Sequence, residues 1–269
     1  MKLSIISVNL NNADGLRMTI QSVVSQTFTD YEYIIIDGGS TDDSVEIIKQ
    51  YADKITYWVS EPDKGIYNAM NKGILQAKGE YCQFLNSGDL LYSDTVLIDV
   101  FRLNCTDDII TGDMLKRYPT NITKLDKGQA YTRWERGQIL TLYDMYWGTV
   151  NHSSSFIKRN LFNKFGLYDE NYKIVSDWIF FLKTIGLAGI EVKYVNIVIS
   201  CFDMTGISNA DIPMVNEERK NALEKNIPKQ ILIDYQQFET LNRKVNHILK
   251  YKTIRFIVKL VEKTFRIFR

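Results

Sequence analysis

The chain has 269 residues, 45% hydrophobic and 24% charged, enough apolar material for one sizeable core, which excludes disorder as its main state. Three cysteines, Cys82, Cys105 and Cys201, are far apart and odd in number, which argues against a disulfide framework or a clustered-cysteine zinc site and fits a reducing compartment. The net charge of +1 hides an asymmetry: Asn242 to Arg269 carry nine Lys/Arg against the single acid Glu262, leaving 24 basic and 31 acidic residues elsewhere.

In chain order, Leu3 to Val8 is a short apolar run, broken by Ser4 and Ser7, with no small-residue cleavage pattern behind it. It predicts a first strand rather than a signal peptide. Leu16, Ile20, Val23 and Val24 then recur at helical spacing before the β-branched run Tyr31 to Gly38, which predicts a βαβ unit on a buried parallel sheet. The pattern repeats: SVEIIKQYA reads as a helix capped by Ser44 or a neighbouring Asp, ITYWVSE as a strand, GIYNAMNKGILQA as a helix and EYCQFLN as a strand. Such alternation over the first hundred residues predicts an α/β fold, a doubly wound, mostly parallel sheet flanked by helices, with ligands at the carboxyl ends of the strands. No apolar run reaches the roughly eighteen residues that a membrane span requires.

Acids gather at those predicted strand ends. Asp37 closes the second strand, Glu61-Pro62-Asp63 the third and Asn86-Ser87-Gly88-Asp89 the fourth, with Gly38, Gly39, Gly65 and Gly88 letting a ligand approach the backbone. Any one of these is equally a turn or a helix cap. Together they predict a rim that takes an anionic ligand through Mg²⁺ or Mn²⁺, since a divalent cation shares itself between carboxylates and phosphates. No G-x-G-x-x-G and no G-x-x-x-x-G-K follows a strand, which argues against a dehydrogenase or a P-loop ATPase.

The segments SIISVNLNN, SVVSQTFTDYEYIIIDGGSTD, SEPDKGIYNAMNKGILQAKGEY and FLNSGD, in this order, resemble the family 2 glycosyltransferases, which have a GT-A fold and use nucleotide sugars. The resemblance is dense from Leu3 to Tyr92 and thinner through ITGD, NHSSSFIKRNLF, ENYKIVSDWIFFLK and FDMTGIS, and its flavour is that of colanic acid, O-antigen and capsule synthesis. It implies a nucleotide-sugar-binding half over residues 1–100, an acceptor-binding half over 101–225 and a helical basic tail over 226–269.

Position by position, the resemblance implies donor contacts from Asn11, Asp37, Asp63, Lys64, Gly65, Asn71, Ser87 and Gly88. Asp89 is the one carboxylate left in the metal motif, and Asp177 stands where the family places its general base, at the start of an apolar helix where burial beside Trp178 would raise its pKa. Without the resemblance, Asp177 reads equally as a first-turn helix acid. His152 and Asp113 match acceptor-side or donor-contacting positions, and Thr205 to Ser208, with Gly206, matches a loop that closes over the diphosphate and excludes water. Aromatics of the middle segment, Trp134, Tyr143, Tyr146 and Trp147, are either sugar-stacking rings or core. Two positions depart from the family pattern: Leu10 where an aromatic commonly precedes Asn11, and Gly38 where many relatives carry a second acid.

The activity implied is inverting sugar transfer from a nucleoside-diphosphate sugar, UDP favoured and GDP next, to a saccharide acceptor carried on a polyprenyl diphosphate lipid. The implied cofactor is a divalent metal, Mn²⁺ or Mg²⁺. Ile248, Ile254, Ile257, Val258, Val261, Phe265 and Phe268 fall on one face of a helical tail with Lys/Arg opposite, which predicts docking on an anionic membrane at the cytoplasmic face. Packing on its own domain or in a homodimer is the competing use of that face. The acidic remainder argues against nucleic acid. The alternative class is a catalytically silent nucleotide-sugar-binding or scaffold subunit, motivated by the thinned metal motif. A nucleotidylyltransferase would carry a glycine- and cation-rich first loop, which Asn9 to Gly15 lacks.

Overall fold

The computed structural model describes residues 1–118, 139–206 and 211–251. Ser208, Trp134 and the tail beyond Tyr251 lie outside them. The first half alternates as expected: β1 (Leu3–Asn9), α1 (Ala13–Val24), β2 (Tyr31–Asp37), α2 (Ser44–Gln50), β3 (Tyr57–Ser60), α3 (Ile66–Gln76) and β4 (Tyr81–Phe84). Then follow β5 (Leu90–Leu91), α4 (Val96–Phe101), β6 (Ile109–Arg117), α5 (Leu142–Trp147), β7 (Ser155–Lys158), α6 (Asn160–Phe165), α7 (Ser176–Phe181, continued by a π turn Leu182–Leu187) and β8 (Val192–Asp203).

These strands form one sheet in the order β3-β2-β1-β4-β7-β6-β8-β5. β3, β2, β1 and β4 run parallel, as do β6 and β8, whereas β7 is antiparallel to β4 and β6, and β5 to β8. The reversal at β5 has a simple cause. Residues 85–89 are too few for the helical crossover that a parallel neighbour needs, so β5 pairs at the far edge instead.

Every residue of β1 is buried, as a strand covered on both faces requires, and Leu16, Ile20 and Val23 of α1 pack into the same core. Each such side chain contributes about 1.5–3 kcal/mol by leaving water. α1 starts where Asn12 Oδ1 accepts the Gly15 N–H at 3.1 Å. α3 lies close on the sheet because residue 73 is glycine: a Cβ there would stand 2.4 Å from Ile6 Cγ2.

Parallel register sets the ends of the strands in line. Asn9 pairs with Asp37 and Asp37 with Ser60, and β4 continues along β1 through Leu85 N–H to Ile6 O (2.9 Å) and Ser87 N–H to Val8 O (3.0 Å). The polar residues that follow β1, β2 and β4 therefore reach one rim.

Met1–Arg219 forms one compact unit, and a second begins at Lys220, within α8 (Ile212–Asn226). In the second unit α9 (Lys229–Ile248) has no buried residue and exposes Phe238, Leu241, Val245 and Ile248. Among the described residues no helix is long and apolar enough to cross a membrane.

Candidate active site

A cavity of about 730 Å³ lies beyond the carboxyl ends of β1 and β4, against the first turns of α3 and α7. Of the residues expected from the sequence, Asp63, Lys64, Gly65, Ser87, Asp89, His152, Asp177 and Gly206 line it. Asn11, Asp37, Asn71, Gly88 and Asp113 are not among its lining residues, and most of them spend their polar groups on neighbouring segments.

Asp37 is fully buried, and its carboxylate is saturated. Oδ1 accepts from Asn9 Nδ2 (2.7 Å) and Ser40 Oγ (2.6 Å), and Oδ2 from the Ser40 N–H (2.9 Å) and Ser60 Oγ (2.6 Å). Burial alone would raise its pKa, yet these donors hold it below the usual carboxylate value. Asp37 thus braces the rim through three chain segments. Asn71 is likewise consumed, donating to Tyr168 O and Glu170 Oε1 and accepting the Tyr168 N–H. Asn11 holds the Thr41 N–H at 2.8 Å, and Asp113, buried on β6, receives the Tyr194 hydroxyl.

Asp89 is buried on the cavity wall, with one oxygen in use. Its Oδ1 accepts the Asp203 N–H at 2.8 Å, while Oδ2 is buried with no hydrogen-bond partner. Burial pushes its carboxyl up to about 7. Beside it Arg117 Nη2 donates to Gly88 O (2.7 Å) and Asp203 Oδ2 (2.8 Å), tying the turn after β4 to the end of β8. Gly88 has φ +103°, and a Cβ there would stand 2.6 Å from Asp203 Oδ2, so both conformation and space require glycine.

The orphaned Oδ2 tests the metal expectation. Among the described residues no group of three His, Cys, Asp or Glu is placed to hold an ion alone. A single unpartnered carboxylate oxygen does fit a divalent cation whose other ligands are diphosphate and water, the usual manner of Mg²⁺.

Asp177, in the first turn of α7, has both oxygens engaged: Oδ2 with His152 Nδ1 at 3.0 Å and Oδ1 with the Tyr67 hydroxyl at 2.7 Å. The same hydroxyl lies 2.5 Å from Ile174 O, so one proton faces two acceptors, and the ionised carboxylate draws it more strongly. The expectation of a raised pKa is overturned. Burial acts upward, but the His152 and Tyr67 bonds and the Trp178 N–H outweigh it, and Asp177 titrates below the usual value. His152 moves the other way: burial lowers its pKa, Asp177 outweighs that, and the net direction is up. His152 Nε2 is buried with no partner. Trp178 anchors the helix start through Nε1 to Met145 O at 2.8 Å, with the Arg219 guanidinium 4.2 Å above its ring.

Sequence reasoning missed Tyr67, Arg117 and Asp203. Tyr67 and Asp203 lay inside segments already singled out, one residue past Ile66 and at the head of DMTGIS, whereas nothing in the sequence around Arg117 marks its partners. Tyr143, Tyr146 and Trp147 pack their rings on one another along α5.

A mostly parallel sheet with a carboxylate-lined cavity at its carboxyl rim is the arrangement expected of the GT-A class of transferase, and comparisons with known proteins bear that class out. Residues 4–164 match the family described as Glycosyl transferase family 2, and the chain belongs to it. It is similar to the PGL/p-HBAD biosynthesis glycosyltransferase of Mycobacterium bovis, 29% identical over 213 residues covering 77% of this chain and 78% of that protein. It is 32% identical to an uncharacterized glycosyltransferase of Mycobacterium tuberculosis over 211 residues, 77% of each chain. The fold matches that of S. aureus TarS 1-349 in complex with UDP-GlcNAc, with TM-score 0.61 at 18% identity over 76% of this chain and 58% of that one. It also matches the mannosyltransferase PcManGT from Pyrobaculum calidifontis in complex with GDP-Man and Mn2+, with TM-score 0.59 at 16% identity over 75% and 56%. This chain spans 37% of a longer TarS chain. The chain is a glycosyltransferase of this family. The Mycobacterium bovis relative is named for PGL/p-HBAD biosynthesis, and the colanic acid, O-antigen and capsule branch expected from the sequence is not what its name supports.

Proposed function

We propose that the protein moves a sugar from a nucleoside-diphosphate sugar to a saccharide hydroxyl, with inversion at the anomeric carbon. One observation carries this reading: Asp177, held ionised by His152 and Tyr67, and Asp89, with one unpartnered oxygen, line the same cavity. The acceptor oxygen attacks the anomeric carbon, its proton passes to Asp177, and the bond from that carbon to the diphosphate oxygen breaks. A divalent cation held by Asp89 and the diphosphate would offset the charge of the leaving group. Asp63, Lys64, Gly65 and Ser87 hold the nucleotide end, and Gly206 covers the diphosphate. The nucleotide-sugar complexes of proteins sharing this fold support the donor class.

The acceptor is a lipid-linked saccharide presented at the cytoplasmic face of a membrane, in surface glycan synthesis. The excess of Lys/Arg from Asn242 onward and the exposed apolar side chains of α9 support docking on an anionic surface.

The test is a donor screen by thermal shift and by release of nucleoside diphosphate, with UDP-, dTDP- and GDP-sugars, each with and without Mn²⁺. A nucleotide that raises the melting temperature more with metal, and whose sugar is consumed only when acceptor is added, is the expected outcome. Absence of any shift at millimolar nucleotide would overturn the donor reading.

A further inference from the structure

The donor reading does not name the base, and the far end of the cavity carries a feature that does. Leu10 follows β1 there, exposed by 57%, and Asp63 precedes α3; both line the cavity. Gly38, just after β2, lies between them. A side chain on it would start 2.5 Å from Asp63 Oδ2 and 3.4 Å from Leu10 Cδ1. The missing side chain is thus the space into which Asp63 turns its carboxylate and Leu10 a methyl group. Asp63 has two unequal oxygens. Oδ1 accepts the Gly65 N–H at 2.8 Å, which fixes the carboxylate's rotation. Among the described residues Oδ2 has no hydrogen-bond partner.

Resting on the nucleotide-sugar reading, we propose that Asp63 reads the base and selects a pyrimidine-dione, uracil or thymine. Its one free oxygen accepts the ring N3–H, and Leu10 lies against the ring face. Cytosine presents a lone pair at N3, which a carboxylate repels. Guanine offers two adjacent donors, N1–H and the 2-amino group, suited to a carboxylate with both oxygens free, and Asp63 has committed one to its own loop. Adenine sets a ring lone pair beside its amino group. A site built to receive one N–H rejects bases that lack it in that place, because its acceptor is then left unpaired.

The experiment is calorimetric titration of the full chain with UDP, dTDP, CDP and GDP in Mn²⁺, repeated on Asp63→Asn and Asp63→Glu. The wild-type chain is expected to bind UDP or dTDP roughly tenfold or more tighter than CDP and GDP, the comparison of UDP with dTDP naming the base. Asp63→Asn turns an amide N–H toward the base, so UDP weakens by about tenfold while CDP gains relative to it. Asp63→Glu weakens the preferred nucleotide without favouring CDP. GDP as the tightest ligand, or ratios within about twofold of wild type in Asp63→Asn, overturns this inference and leaves the donor reading standing. Failure of all four to bind the wild-type chain overturns both.

Discussion

His152 and Asp177, 25 positions apart in sequence, meet Nδ1 to Oδ2 at 3.0 Å, and each holds the other in its charged form against burial. Tyr67 closes the other side of the carboxylate at 2.7 Å. A base so held has a fixed orientation on the cavity it lines.

The pair predicts a pH-dependent contribution to stability. The pKa of His152 is raised in the folded chain, so its contribution is whole below its ordinary 6.5 and is lost as pH climbs through the folded value. That of Asp177 is lowered, so its contribution holds above 3.8 and is lost as pH falls through the folded value. Thermal melts of wild type and His152→Gln should therefore differ most between these two limits and converge above them. A gap unchanged from pH 4 to pH 9 would contradict the pairing.

Asp177→Asn keeps the shape of the carboxyl group and removes its basicity. Turnover should fall by roughly 10²–10⁴-fold, with nucleotide affinity within about twofold of wild type. The His152 titration, followed by NMR, should move to lower pH in the same variant. Loss of donor binding equal to the loss of turnover would assign Asp177 to binding instead.

Much of this site was legible because its carriers are local. The alternation of apolar runs located β1 to β4 and the acids behind them, Asp63 and Asp89 among them, whereas Asp177 stood out from an ordinary first-turn helix acid only through the family resemblance. Direction of effect was less legible. Burial beside Trp178 predicted a raised pKa for Asp177, and the opposite sign comes from His152 and Tyr67, contributed by segments 25 and 110 positions away. Asp37 and Asn71 share the residue types of ligand contacts, yet their acceptors and donors are spent on the frame, a fact that depends on register and helix docking. Arg117 was invisible for the same reason, since its partners come from the turn after β4 and the end of β8.

Asp89→Asn tests the metal bridge. Wild-type affinity for the preferred nucleoside diphosphate should rise with Mn²⁺, and the variant should lose most of that increment while binding the metal-free nucleotide as before. Calorimetry with and without Mn²⁺ separates the two terms. An unchanged Mn²⁺ increment would place the ion elsewhere.

Arg117 is the last test, because it joins the Asp89 turn to the strand that leads into Thr205 and Gly206. Arg117→Met leaves the Gly88 carbonyl and the Asp203 carboxylate, both part-buried, without their shared donor. Unpaired groups of this kind cost about 1–3 kcal/mol, which lowers the melting temperature by a few degrees in a unit of this size. Asp203 also donates its N–H to Asp89 Oδ1, so the strain reaches the carboxylate proposed to hold the metal, and nucleotide affinity in Mn²⁺ should fall by roughly tenfold. The His152 titration, which the Asp89 charge helps hold up, should move down if losing Arg117 makes Asp89 harder to ionise. Adding Asp203→Asn removes the stranded charge, and the double variant should recover part of both losses; strictly additive losses would show that the two side chains act independently.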